Sequence, residues 1–178
     1  PPGAPKGSLW LLDECWICSS TKGGQRDWGR GVYMSNAQQG AVLREWAGRW
    51  GLDLMKTKVI ADDACFNFSG GSRGSIAGDF EAAGVRLRRA GKFNRSEVNG
   101  LSMIRNMLQA AGRDPETPWL QWSSACQGWM NTVPTLPRHA RDMERIADGC
   151  ANHGLDAVRY AASWYRGRWK TGICRGAG

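Results

Sequence analysis

The order of segments along the chain predicts an α/β fold built on a mostly parallel sheet. Three observations carry that expectation. Short apolar runs of strand length alternate with longer segments whose apolar residues recur at helical spacing. Glycines close the helical segments. No internal repeat or low-complexity run interrupts the alternation.

The opening "PPGAPKG", residues 1–7, is too rich in Pro and Gly for an element interior and reads as a linker or truncated start. "SLWLLDECWI" follows as a short strand whose centre is broken by Asp13 and Glu14. "TKGGQRDWGRG" reads as a loop. Ser35 can cap a helix through "NAQQGAVLREWAGRW", in which Val42, Leu43 and Trp46 share a face, Trp50 lies one turn on and Gly51 stops the run. "KVIADDACF" has the profile of a buried strand that delivers two carboxylates at its end.

A second helix fits "SIAGDFEAAG", stopped by Gly84. "VRLRRA" then alternates as a strand, with Val85 and Leu87 on one side and Arg86 and Arg88 on the other. "SEVNGLSMIRNMLQAAG" is the longest periodic segment: Val98, Leu101, Ile104 and Leu108 form one stripe, ended by Gly112. "PWLQWS" is a further strand and "ACQGWMNTV" a mixed, helix-like stretch. The loop "PTLPRHARDMERIADG" leads into a final helix that carries "NHGLDAVRYAASW".

Composition narrows the class. The 178 residues suit one domain, with a basic tail from residue 167 to 178. No apolar run reaches the roughly 20 residues that cross a bilayer, and no signal segment opens the chain, so a cytoplasmic, non-membrane protein is expected. Six cysteines include the pair Cys15 and Cys18, but no second pair at zinc-site spacing follows, and free thiols are expected. A net charge of +8 favours a polyanionic partner, since each neutralised phosphate releases counterions.

Two acid clusters carry candidate chemistry. Asp62 and Asp63 stand where an apolar strand ends, the edge at which open α/β sheets gather ligands; a turn or capping aspartate gives the same pattern. On the last helix, at about 100° per residue, His153, Asp156, Tyr160 and Trp164 fall in one quadrant, while Leu155, Val158 and Ala162 face the opposite side. His153 and Asp156 can together ligate a divalent metal, or His153 can orient a water beside it. A solvated His with an Asp favoured by the helix dipole reads equally well. No Walker A loop and no GxSxG elbow occurs, and "SGGSRG" lacks the Lys-Ser/Thr of a P-loop.

The segment "WSSACQGWMNTVPTLPRHARDMERIADGCANHGLDAVRY" resembles the C-terminal nuclease domain of the large terminase subunit of tailed bacteriophages. It is similar to that family's succession of an aromatic and Cys, an apolar "tlP" turn, an acidic loop and then "DHxxDAxRY". "KVIADDACFN" through "GVRLRRAGK" looks like the family's second acid strand, helix and short basic strand, and the likeness covers residues 7–164. It implies a ribonuclease H-like mixed sheet flanked by helices, spanning residues 8–166. It also implies an endonuclease that cuts concatemeric viral DNA in the bacterial host's cytoplasm by two-metal hydrolysis with Mg²⁺ or Mn²⁺.

By position, Asp62 matches the second-strand acid, Asp156 the acid of the last helix and His153 the His before it. The implied metal ligands are Asp62 and Asp156, and Asp63 can replace Asp62. Arg159 and Tyr160 pack and orient the helix. The implied partners are double-stranded DNA, an upstream ATPase domain, the small terminase subunit and the portal. Two departures stand out: Asn152 replaces an acid just before the His, and the strand with the family's first catalytic Asp is expected upstream of this chain.

If DNA is the substrate, cations should flank the site. The densest basic run is "RLRRAGKFNR", from which Arg88, Lys92 and Arg95 are the expected phosphate contacts, although a charged edge strand gives the same pattern. The tail mixes Arg166, Arg168 and Lys170 with Tyr165 and Trp169. Two alternatives keep their place: a non-catalytic DNA-binding or motor-docking fragment of the same fold, and an unrelated α/β resolvase-type nuclease.

Overall fold

The computed structural model describes residues 3–21, 23–68, 74–91 and 96–170; for Ser96 and residues 166–170 it describes the backbone alone. The chain is mixed α/β, with five helices and short sheets among the described residues. It divides into two compact units, one formed by Pro1–Glu14 with Phe93–Gly178 and the other by Cys15–Lys92. The 8–166 span read from the sequence includes residues of both.

In the first unit, strand β1 (Leu9–Leu11) runs parallel to strand β6 (Leu120–Trp122), with Leu9 opposite Leu120 and Leu11 opposite Trp122. Ser8 extends the join, its Oγ accepting the Trp119 N–H at 2.8 Å. Helices α3 (Ser96–Ala110), α4 (Gln127–Thr132) and α5 (His153–Lys170) complete the unit, and α5 packs on both α3 and α4. The predicted α3 stripe supplies Leu101 and Ile104 to a core with Met107, Leu120, Cys126, Trp129, Ile146, Leu155 and Val158. Leu120 is fully buried, so the short strand sits at the centre of that core. Helix α5 continues to Lys170, past the position where the basic tail was expected to begin.

The second unit begins with an antiparallel pair, β2 (Cys18–Ser20) and β3 (Arg26–Gly31). Helix α1 (Asn36–Gly48) starts at a full capping box: Ser35 Oγ accepts the Gln38 N–H at 3.2 Å, and Gln38 Oε1 accepts the Ser35 N–H at 2.8 Å. Strand β4 (Val59–Ala61) pairs in parallel with β5 (Leu87–Arg89), and helix α2 (Ile76–Ala82) lies between them in sequence. Ala47, Leu54, Phe80 and Val85 form the core, with Leu43, Trp46, Val59 and Leu87 packed around it. Gly40 lets α1 approach α2: a Cβ there would stand 2.7 Å from the Ala83 Cβ.

Several expectations need correction. The segment read as a loop over 21–31 contains strand β3, because Trp28 packs edge-on against Trp16 at 5.4 Å and offsets the low strand propensity of its glycines. Asp13 and Glu14 lie beyond β1 rather than at a strand's centre, so the "SLWLLDECWI" strand is three residues long. The expected continuous sheet is instead three two-stranded pairs among the described residues, two of them parallel. Strand β4 is half-buried rather than buried, and Trp50 is exposed instead of extending the α1 face.

Candidate functional site

Helix α5 places its acid as the apolar pattern requires. Leu155, Val158 and Ala162 are buried, which turns Asp156, Tyr160 and Trp164 onto a half-buried face and leaves His153 exposed at the first turn. The Asn152 carbonyl accepts the Asp156 N–H at 2.9 Å, closing that turn. The Asp156 carboxylate is then held from one side. Arg159 donates to Asp156 Oδ1 twice, from Nε at 2.9 Å and from Nη2 at 2.7 Å. Among the described residues, Oδ2 accepts no hydrogen bond.

Arg159 is itself 8% exposed, an unusual burial for a guanidinium. Its guanidinium carbon stands 4.5 Å from the Tyr160 ring centre, a cation–π contact. The Arg159 contacts to Asp156 and Tyr160 all lie within α5.

In the second unit, Asp62 and Asp63 take different positions directly after β4. Asp62 caps a 3-10 turn, Asp63–Phe66, its Oδ1 accepting the Ala64 N–H at 2.7 Å. The capping alternative weighed from the sequence is therefore one thing Asp62 does. Asp63 Oδ1, by contrast, is buried with no hydrogen-bond partner among the described residues. A buried, unpaired carboxylate oxygen is costly in an apolar setting and is the type of group a hard cation satisfies. Burial, followed by the charge of Asp62, raises the Cys65 thiol above its ordinary value.

Carboxylate oxygens of this kind suit Mg²⁺ or Mn²⁺, which bind through one or two acids while water and substrate phosphates fill the remaining positions. No group of three or more His, Cys, Asp or Glu side chains gathers as a metal site among the described residues. Asp62 and Asp156 belong to separate units, each with its own set of contacts.

The basic run behaves unevenly. Arg86 pairs with Glu81 at 3.1 Å, and Arg89 lies 4.6 Å from the Phe66 ring centre. Arg88 is exposed on β5 and makes no ion pair among the described residues. Lys92 and Arg95 lie outside the described residues, as do the side chains of Arg166, Arg168, Trp169 and Lys170. Neither Cys15 nor Cys18 forms a disulfide among the described residues.

Two residues act in ways the sequence did not signal. Glu14 accepts the N–H groups of Gly128 and Trp129, the latter at 3.0 Å, and so caps the start of α4. Burial, followed by the charge of Glu14, raises the Cys126 thiol above its ordinary value. His139 Nδ1 accepts the N–H groups of Arg141 at 3.2 Å and Asp142 at 3.1 Å, organising the acidic loop ahead of α5. Both contacts are between groups whose pairing has no periodic signature, and Glu14 lies more than a hundred residues from its partners.

No helix among the described residues is long and apolar enough to cross a membrane. Compared with known proteins, the chain matches no family model, no curated protein and no solved structure.

Proposed function

We propose that this chain is part of a metal-dependent DNA endonuclease of ribonuclease H-like type, similar to the nuclease domain of a phage large terminase. The observation that carries the reading is the Asp156 carboxylate, fixed through Oδ1 by a buried arginine and leaving Oδ2 for a cation. The Asp63 oxygen gives independent support, since beside Asp62 it is a buried acid oxygen without a donor among the described residues. In this reading Asp156 is a ligand for Mg²⁺ or Mn²⁺, and Asp62 or Asp63 is the candidate ligand of the second unit. Activation of water and stabilisation of the leaving oxygen are what two such ions supply when bound.

The chain's own residues then have separate tasks. Asp156 binds the cation, Arg159 holds that carboxylate in one rotamer, and His153 orients water or phosphate at the mouth of the helix. Arg88, with Lys92 and Arg95, neutralises the DNA backbone. The substrate is concatemeric double-stranded DNA, presented by an ATPase domain together with the small subunit and the portal, in the host cytoplasm.

The deciding experiment supplies supercoiled plasmid with Mg²⁺ or Mn²⁺ to the full-length protein and to its Asp156→Asn variant. Nicking by the wild type and its loss in the variant is the expected result; equal nicking by both removes the catalytic role. A second reading is a non-catalytic DNA-binding or motor-docking module, favoured by the absence of a three-ligand cluster among the described residues. Salt-sensitive DNA binding without metal-dependent nicking would select it.

A further inference from the structure

We infer that the groove bordered by α3, β6 and α4 in the first unit is a docking site for an acidic, amphipathic helix of a partner protein, with Arg105 as its anion anchor. The inference goes beyond the nuclease reading and does not depend on it, because none of Asp62, Asp63, His153 and Asp156 lines the groove.

The groove is made entirely within one unit and is apolar at its base. Leu101, Ile104 and Leu155 belong to the core, yet they also line an opening of about 490 Å³. Trp122 of β6 and Met130 of α4 stand at its rim, 44% and 45% exposed. Large apolar side chains left half in water over an apolar floor are stabilised by any surface that covers them.

Charge selects the occupant. The lining holds two cations, Arg105 and Arg138, and no carboxylate among the described residues. Arg105 is half-buried on α3 and makes no hydrogen bond or ion pair among the described residues. Arg145 and Arg159, also withdrawn from solvent in this unit, each meet a carboxylate: Glu97 at 3.3 Å and Asp156 at 2.7 Å. Arg138 makes one long hydrogen bond, from Nη1 to the Met143 carbonyl at 3.4 Å. A half-buried guanidinium has lost part of its hydration, and an arriving carboxylate offsets that loss through charge-assisted hydrogen bonds.

Trp, Met and Arg side chains around an aliphatic floor are the composition of protein–protein interface centres. A helix can lay apolar side chains from successive turns into such a trough while acids on its flanks meet the arginines. Nucleic acid fits less well. The Trp122 and Trp129 rings lie 6.1 Å apart and are tilted by 47°, an angled wall rather than the flat platform on which bases stack. A fatty acid brings a single carboxylate to two arginines.

The test titrates the full chain against a fluorescein-labelled amphipathic peptide with a Leu and Met face flanked by Glu, and against its twin with Lys at every Glu position. Fluorescence anisotropy should show the Glu peptide binding about tenfold more tightly, with the preference shrinking as salt is added. Arg105→Met keeps the stem and removes the charge, and should weaken the Glu peptide about tenfold. Arg105→Glu should strengthen binding of the Lys peptide severalfold. Arg113→Met, an exposed arginine outside the groove, controls for net charge and should leave both affinities unchanged.

Thermal melting accompanies each variant. If the Arg105 variants do not fold, Met130→Glu at its exposed position decides, and a severalfold weaker Glu peptide is expected. Failure of the Glu peptide to bind, equal losses in Arg105→Met and Arg113→Met, or an unchanged affinity in the folded groove variant overturns the inference. So does displacement of the peptide by oligothymidylate or dodecanoate at concentrations below the peptide's own Kd, which would give the groove a nucleic-acid or lipid occupant.

Discussion

The first turn of α5 and the end of β4 each carry aspartates, and they are held by opposite kinds of partner. Asp156 is gripped by a side chain, Arg159, which occupies one oxygen. Asp62 is gripped by the backbone of the turn it begins, while its neighbour Asp63 has a buried oxygen without a donor among the described residues. A carboxylate that caps a turn is tied to the fold itself, whereas one held by another side chain can be tuned without altering the backbone. The same residue type, placed after an apolar strand or on a helix, thus divides between architecture and chemistry according to what donates to it.

The sharpest way to break that contrast is to neutralise each acid in turn while preserving its acceptor oxygen. In the full-length protein, Asp156→Asn should lower plasmid nicking about a thousandfold, because cation stabilisation of the reacting phosphate is worth several kcal/mol. Asp62→Asn and Asp63→Asn, assayed in parallel, identify which acid of the second unit matters: only the ligand's variant should fall as far. If both variants nick like the wild type while Asp156→Asn does not, the second unit supplies no acid.

Packing changes give the next largest effects and compare the two cores. Leu120→Ala, at the fully buried centre of the first unit, should cost about 2–5 kcal/mol in urea unfolding. Gly40→Ala, where the new methyl meets the Ala83 Cβ at 2.7 Å, should cost about 1–3 kcal/mol by overpacking the α1–α2 contact of the second unit. A Gly40→Ala protein as stable as the wild type would show that the two helices can part without penalty.

Smaller effects separate Asp62 from Asp63 without any assay of activity. Asp62→Ala removes a cap and should cost about 1 kcal/mol, whereas Asp63→Asn, measured without metal, should be neutral or slightly stabilising. Loss of stability in both would mean that Asp63 is held as firmly as its neighbour. The smallest effect concerns Cys126, whose thiol is raised above 9.0 by burial and then by Glu14. Its contribution is fully present below about pH 9, where the unfolded thiol keeps its proton, and declines as pH rises through the folded value. Cys126→Ala should flatten that alkaline limb in unfolding measurements.

What could be read from the chain was local or periodic. Ser35 announced the start of α1, and the spacing of Leu101 and Ile104 announced the inner face of α3. Leu155, Val158 and Ala162 gave the orientation of α5, and with it the placement of Asp156. The rest depends on partners distant in sequence. Trp16 and Trp28 made a strand of a glycine-rich segment, and the buried path of Arg159 depends on a missing side chain at Gly100. Glu14 read as a strand breaker because its donors on α4 lie 114 and 115 residues further on.

The pairing of β1 with β6 has a consequence for how the chain is born on the ribosome. Ser8 and Trp119 meet across 111 residues, so the first unit cannot close until the nascent chain has been extended well beyond Trp119. Bringing ends so far apart together costs about 4 kcal/mol of chain entropy, whereas Cys15–Lys92 is continuous and can condense while synthesis proceeds. Translation therefore favours early folding of the second unit, leaving the opening strand waiting for the arrival of its partner.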